Sequence, residues 1–248
     1  MKLDIMNRRT PLERLSCVIL ELLVARSAQK VLLIRELVFE GGSRERWLKQ
    51  DIKRFWKAMN IEARKVRGIK AKRPDDLGNK IMVEMTLRTI AAYRALREMG
   101  VERACARRLV ADIIWDIYSK MLGLYSWPFR LTTRDPSKRI SRTIKALLWF
   151  PFNAPGAPGY AVKHWEKDGD TFTHFTHCPP HSFVRVVVAS GGSEDDLLAF
   201  RESWCRYDWP GADILAGDGR RSHYERNKTL SHGDSVCDMC WRGRTDGI

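Results

Sequence analysis

The sequence lacks any uninterrupted apolar run approaching the ~18 residues needed to span a bilayer. Its greasiest stretch, Leu15 to Val24, is interrupted by Glu21 and followed by Arg26 and Lys30. The opening MKLDIMNRRT lacks the apolar centre and small-residue cleavage site of a signal peptide, so a cytoplasmic location is expected. Cysteine is sparse: six in 248 residues are too few for a disulfide scaffold. Internal repeats and low-complexity tracts are absent. Histidine is missing altogether before His164.

What is present is unevenly spread. All six histidines and four of the cysteines, Cys178, Cys205, Cys237 and Cys240, lie in the last third, whereas Cys17 and Cys105 sit among apolar helical residues and read as small core side chains. Residues 1–150 carry 33 Lys and Arg against 16 Asp and Glu; residues 151–248 carry 11 against 14, which together give the net charge of +14. A basic half of that size attracts anions by its field alone. It contains no recognised reader of bases, and its charges alternate with apolar residues at helical spacing, so solvated helix faces are expected rather than specific nucleic-acid binding. A small anionic substrate is the partner this balance suggests. Oligomeric state is not encoded in any pattern we find.

Helix signals dominate the first part. Thr10-Pro11-Leu12-Glu13 is a capping box with Pro at the first helical position. Leu12, Leu15, Ile19, Leu22 and Leu23 then form one apolar stripe. The pattern predicts a second helix over 31–39 ended by Gly41-Gly42, and a third capped by Ser43 with Leu48, Ile52, Phe55, Trp56 and Met59 on one face. A polar loop over 68–79 precedes helices over 80–99 and 101–122. The run SKRISRTIKALLWFPF predicts an amphipathic helix, either docked on the core or lying on a membrane or as a lid, with docking favoured by its short apolar part.

PFNAPGAPGY, 151–160, marks a boundary between a helical, basic part (1–150) and a part with β texture (151–248), either as two units or as one integrated domain. Strands are predicted at 160–165, 170–178 and 182–189, a helix capped by Ser193 to about Trp204, and two closing strands within 224–241 joined near His232-Gly233-Asp234. The fold class expected is α+β: a helical N-terminal part followed by an antiparallel sheet with at least one helix.

The most informative segment is YERNKTLSHGDSVCDMC, Tyr224–Cys240, which packs basic residues, a Gly-Asp turn and a Cys-x-x-Cys into seventeen residues. Arg226, Lys228, Thr229, Leu230, Gly233, Asp234, Cys237 and Asp238 resemble the closing signature R-x-x-T-L-x-x-G-x-x-x-C-D-F of the L-2-amino-thiazoline-4-carboxylic acid hydrolase family. Upstream, Cys205-Arg206-Tyr207-Asp208 is similar to its C-x-x-D element, and His177-Cys178-Pro179 to its Cys-Pro step. Where the family has Phe after Cys-Asp, this chain has Met239 and then Cys240.

The resemblance implies a hydrolase that opens a C–N bond of a small heterocycle or cyclic amidine, with a cysteine nucleophile and Asp-assisted proton transfer. Cys237 and Cys205 are the candidate nucleophiles, Cys178 a third thiol of the site, and Asp208 the group that prepares water or moves the proton. Arg226, Lys228 and His232 lie close enough in sequence to lower the Cys237 pKa or hold a substrate carboxylate. No cofactor is required for such a reaction. The same residues admit zinc or another metal instead, with Cys237 and Cys240 joined by His174, His177, Cys178 or His181. They also admit a non-catalytic ligand- or metal-binding domain of the same fold, since the closing strand is faintly similar to that of vinyl-4-reductase-type ligand-binding domains.

Overall fold

A computed structural model describes residues 10–244. Helix α1 (Pro11–Ile34) starts at the expected capping box: the Glu13 N–H donates to Thr10 Oγ1 at 3.2 Å and the Thr10 N–H to Glu13 Oε2 at 3.0 Å. The stripe of Leu12, Leu15, Ile19, Leu22 and Leu23 is exposed, and the packed face is Leu20, Val24, Ala28, Val31 and Leu32. Because α1 is apolar on more than one side, its periodicity does not decide which side packs. Contact with the core does, where Ser27 donates to the Ile113 carbonyl at 2.7 Å.

The predicted second helix is corrected. α1 runs on to Ile34, and Glu36–Val38 (β1) pairs antiparallel with Arg44–Arg46 (β2) through Gly41 and Gly42. Both glycines have φ near +90°, a conformation that closes a hairpin. Ser43 therefore caps nothing, and α2 (Lys49–Arg67) begins after Leu48, whose N–H is taken by Asp51.

Helix α3 (Leu77–Glu98) is buried along most of its length, and α4 (Arg103–Thr132) runs ten residues past its predicted end at 122. α5 (Pro136–Trp149) docks on the core through Ile140, Ile144 and Leu147. No helix of the described residues is long and apolar enough to cross a membrane.

The strand predicted at 182–189 is instead α6 (Pro179–Ala189). Pro179 and Pro180 occupy its first two positions, where a preset φ and a missing N–H favour a helix. Phe183, Val184 and Val187 are buried in the same core as α3, so tertiary packing overrides the β preference of valine. α7 (Glu194–Ser203) follows the expected Ser193 cap, then a 3₁₀ turn (Cys205–Tyr207) and α8 (Asp208–Ala216).

A four-stranded antiparallel sheet has the order β3 (Ala161–Lys167), β4 (Asp170–His177), β6 (Cys237–Trp241), β5 (Tyr224–Glu225). The observed class is α+β. Packing crosses residue 150 throughout. Arg94 grips Asp196 with two hydrogen bonds of 3.0 and 2.6 Å, and Arg107 pairs with Asp195 and Glu202. The basic and acidic halves thus partly neutralise each other across α3, α4 and α7.

Buried Asn79 ties the Pro- and Gly-rich 150–160 segment to α3. Its Nδ2 donates to the Asn153 carbonyl and its Oδ1 accepts the Tyr160 N–H at 2.9 Å. Asn79→Ala strands these partners in the interior and is expected to cost about 2–4 kcal/mol in urea unfolding.

Candidate active site

Pairing in the sheet determines what faces inward. Phe175 opposes Cys237, Thr173 opposes Met239 and Thr171 opposes Trp241, so Cys237, Met239 and Trp241 share one face and Asp238 and Cys240 the other. The inner face meets α3, α4, α5 and the α7–α8 corner around a cavity of about 120 Å³. Its walls are aromatic and aliphatic apart from Asp208, Arg226, Thr173, two tyrosines and three thiols.

Cys178, Cys205 and Cys237, spread over sixty residues of sequence, all line this cavity together with Asp208 and Arg226. Cys178 arrives at the start of α6, Cys205 and Asp208 from the 3₁₀ turn and the first residue of α8, and Cys237 from β6. Arg226 follows β5 and donates from Nη1 to Asp208 Oδ2 at 2.8 Å and from Nη2 to the Cys205 carbonyl at 2.9 Å. Its guanidinium also stacks 4.8 Å above Trp209. Tyr224 donates to the same Asp208 oxygen at 3.3 Å. No donor among the described residues reaches Oδ1.

The closing signature is a self-supporting loop. Asp238 Oδ1 accepts the N–H groups of Asn227 and Lys228 at 3.0 and 2.6 Å, and Asp234 accepts that of Thr229 at 2.7 Å. Gly233 supplies the φ of +98° at which the loop turns. The result aims the Leu230 N–H at Cys237 Sγ (3.3 Å) and sets the Thr229 hydroxyl 3.4 Å from it, within hydrogen-bond reach in either direction. Lys228 contributes its backbone to this loop and leaves its side chain in solvent. His232 is exposed as well, and neither lines the cavity. The expectation that these two bind substrate or activate Cys237 is corrected: Arg226 is the one cation among the lining residues.

Burial, rather than neighbouring cations, sets the thiols. It pushes Cys237 up, against the hydrogen bonds from Thr229 and Leu230 and the charge of Arg226. Burial raises Cys205 to about 12 and Cys178 well above the usual thiol range. Cys237 is the least perturbed of the three. Burial also raises the Asp208 carboxyl to about 6, although Arg226 and Tyr224 oppose the shift. The thiols are therefore protonated at neutral pH, while the carboxyl is mostly ionised and reaches its midpoint near pH 6. In the folded protein, iodoacetamide is expected to modify Cys17, which lines a groove between α1 and α3, before Cys178, Cys205 or Cys237. Peptide mass mapping over time checks the order, which reverses the one that cation activation implies.

A Cys-x-x-Cys on a strand cannot act as a pincer here, because Cys237 and Cys240 point to opposite faces. His177 uses Nδ1 on the Gly159 carbonyl and Nε2 on Ser182, and His174 packs against Trp165 on the outer face. His181 is driven down to about 4 by burial and by Arg185 and Arg201. Among the described residues, no group of three or more His, Cys, Asp or Glu is placed to hold a metal ion.

No protein-family model, curated protein or solved structure matches the chain. The resemblance described above therefore stands on its quoted residues. Met239, its main departure, lies in the cavity wall.

Sequence reading missed Tyr118 and Tyr160, which also line the cavity. Tyr118 continues the buried face of Ile114 on α4 and is indistinguishable by spacing from a core residue. Tyr160 ends a loop, and only its bond to Asn79 shows why it turns inward.

Proposed function

We propose that this cavity is the active site of a hydrolase that opens a C–N bond of a small heterocycle or cyclic amidine. The observation that carries the reading is a buried carboxyl, Asp208, raised toward neutrality on the same cavity as a thiol that accepts the Leu230 N–H and shares a hydrogen bond with Thr229. The size supports it: about 120 Å³ is well below the ~300–1,000 Å³ of sites for drug-sized ligands.

In this mechanism Cys237 Sγ attacks the amidine-like carbon, forming a C–S bond, and its proton passes to Asp208. The ring C–N bond then breaks as Asp208 returns the proton to the ring nitrogen. Water next adds to the same carbon and displaces sulfur. The thiol recovers its proton and the substrate carbon keeps the oxygen as a carbonyl. Leu230 N–H and Thr229 hydroxyl stabilise the thiolate character that develops on Cys237 during attack. Cys205 and Cys178, both held more firmly in the thiol form, shape the wall.

The decisive experiment incubates the protein with aminothiazoline carboxylate and related cyclic amidines and follows products by mass spectrometry. A gain of one water supports the reading; bound but unchanged ligand removes it. The activity kcat/KM is expected to rise with pH through about 6, because the first step needs Asp208 ionised. A flat profile across that range assigns the proton transfer elsewhere. The neutral thiols favour one other reading, a ligand-binding domain without turnover, and the same product assay separates the two.

A further inference from the structure

Two polar groups of the cavity have no role in the mechanism above. Tyr118 and Tyr160 are 8% and 4% exposed, and neither hydroxyl has a hydrogen-bond partner among the described residues. Both phenols lie within the electrostatic reach of Asp208 and Cys205, and Tyr160 within that of Tyr118. Asp208 Oδ1 likewise lacks a donor. None of the three is sealed off among the enclosed unpaired side-chain atoms of the described residues; their residues line the cavity, so each group without a protein partner opens on the void, where an occupant can bond it. An apolar occupant would leave all three unpaired.

We propose that Tyr118 and Tyr160 are ligand-binding residues whose hydroxyls hold the acceptor edge of a small, flat ring, with an N–H of that ring facing Asp208. Planarity follows from the walls: Tyr160 meets Phe152 and Phe175 edge-on at 5.4 and 5.6 Å, and Tyr118 meets Trp204 at 6.1 Å, surfaces suited to a flat ring. Burial keeps both phenols protonated, so they remain donors. The proposal rests on the cavity being the ligand site argued above, and is independent of whether the ligand is turned over.

The test is calorimetric titration of the full chain at about pH 7.5 with aminothiazole, thiazole and benzene. Wild type, Tyr118→Phe, Tyr160→Phe and the double variant are compared, and the Tm of each is taken without ligand. Wild type is expected to bind aminothiazole tightest. Each Phe variant is expected to lose about 5–50-fold of that affinity and none of its affinity for benzene. Removing an unpaired hydroxyl costs the fold nothing, so the ligand-free variants should hold or gain about 2–4 °C. The proposal is overturned if Phe variants bind aminothiazole as wild type does, if their Tm falls by a similar margin, or if wild type prefers benzene. Tight aminothiazole binding without product from cyclic amidines removes the hydrolase reading alone. Full kcat/KM in the double Phe variant removes this proposal and leaves hydrolysis standing.

Discussion

Turnover of a cyclic amidine is expected to vanish in Cys237→Ser and to fall roughly 10²–10⁴-fold in Asp208→Asn, a range that follows from losing a positioned proton carrier. Serine fits the site: its oxygen can accept the same Leu230 N–H, so the variant should fold, and circular dichroism would confirm that. It fails chemically because a hydroxyl is a far poorer nucleophile than a thiol near neutral pH, and Asp208 at about 6 is too weak a base to activate it. Single-turnover mass spectrometry gives the cleanest readout, since a covalent adduct on Cys237 should accumulate in wild type if water attack is slow. Full activity in the serine variant would transfer the nucleophile to Cys205, the next thiol on the same wall. An unchanged rate in Asp208→Asn would remove the carboxyl from the chemistry altogether.

The second large effect is an asymmetry in stability between the two ends of the buried ion pair. Asp208 and Arg226 side chains are 13% and 6% exposed. Removing one member of such a pair costs about 3–5 kcal/mol when the other is left charged. Asp208→Asn leaves Arg226, which cannot shed its proton, so the full cost is expected. Arg226→Met leaves Asp208, which escapes by binding a proton, so about 1–3 kcal/mol is expected for the lost hydrogen bonds. Urea unfolding at pH 7 measures both.

The pH dependence has a definite sign. A folded carboxyl at about 6 against an unfolded one near 3.8 binds more protons in the folded state between those values. Its stabilising contribution is complete below pH 4, declines as pH rises through about 6, and amounts to about 3 kcal/mol over that window. In Arg226→Met the decline should move to higher pH, because the opposing charge is gone. A decline that stays near pH 6 would show that the guanidinium does not set this carboxyl.

Local signals proved readable wherever neighbours in sequence are also partners in space. The capping box at Thr10, the Ser193 cap and the closing loop fall in this class, since each closes its hydrogen bonds within a few residues. So does the juxtaposition of Cys205 and Asp208 at the α7–α8 corner. Readings that needed a distant partner went astray. The Val-rich run 182–189 reads as a strand in sequence because propensity carries no information about the α3 surface it packs on. Proximity in sequence places Lys228 and His232 beside Cys237, whereas the loop leaves both exposed.

The α+β class and the turn of the closing loop are written in local sequence, because capping, turn and strand preferences act within a few residues. Tertiary structure alone decided which of the candidate site residues meet, that the exposed side of α1 is its apolar stripe, and that two tyrosines complete the cavity. It also reversed the expected state of the thiols. A pKa depends on how much water is removed, and that is set by side chains from α3, α4, α5 and β4 arriving from more than a hundred residues of chain.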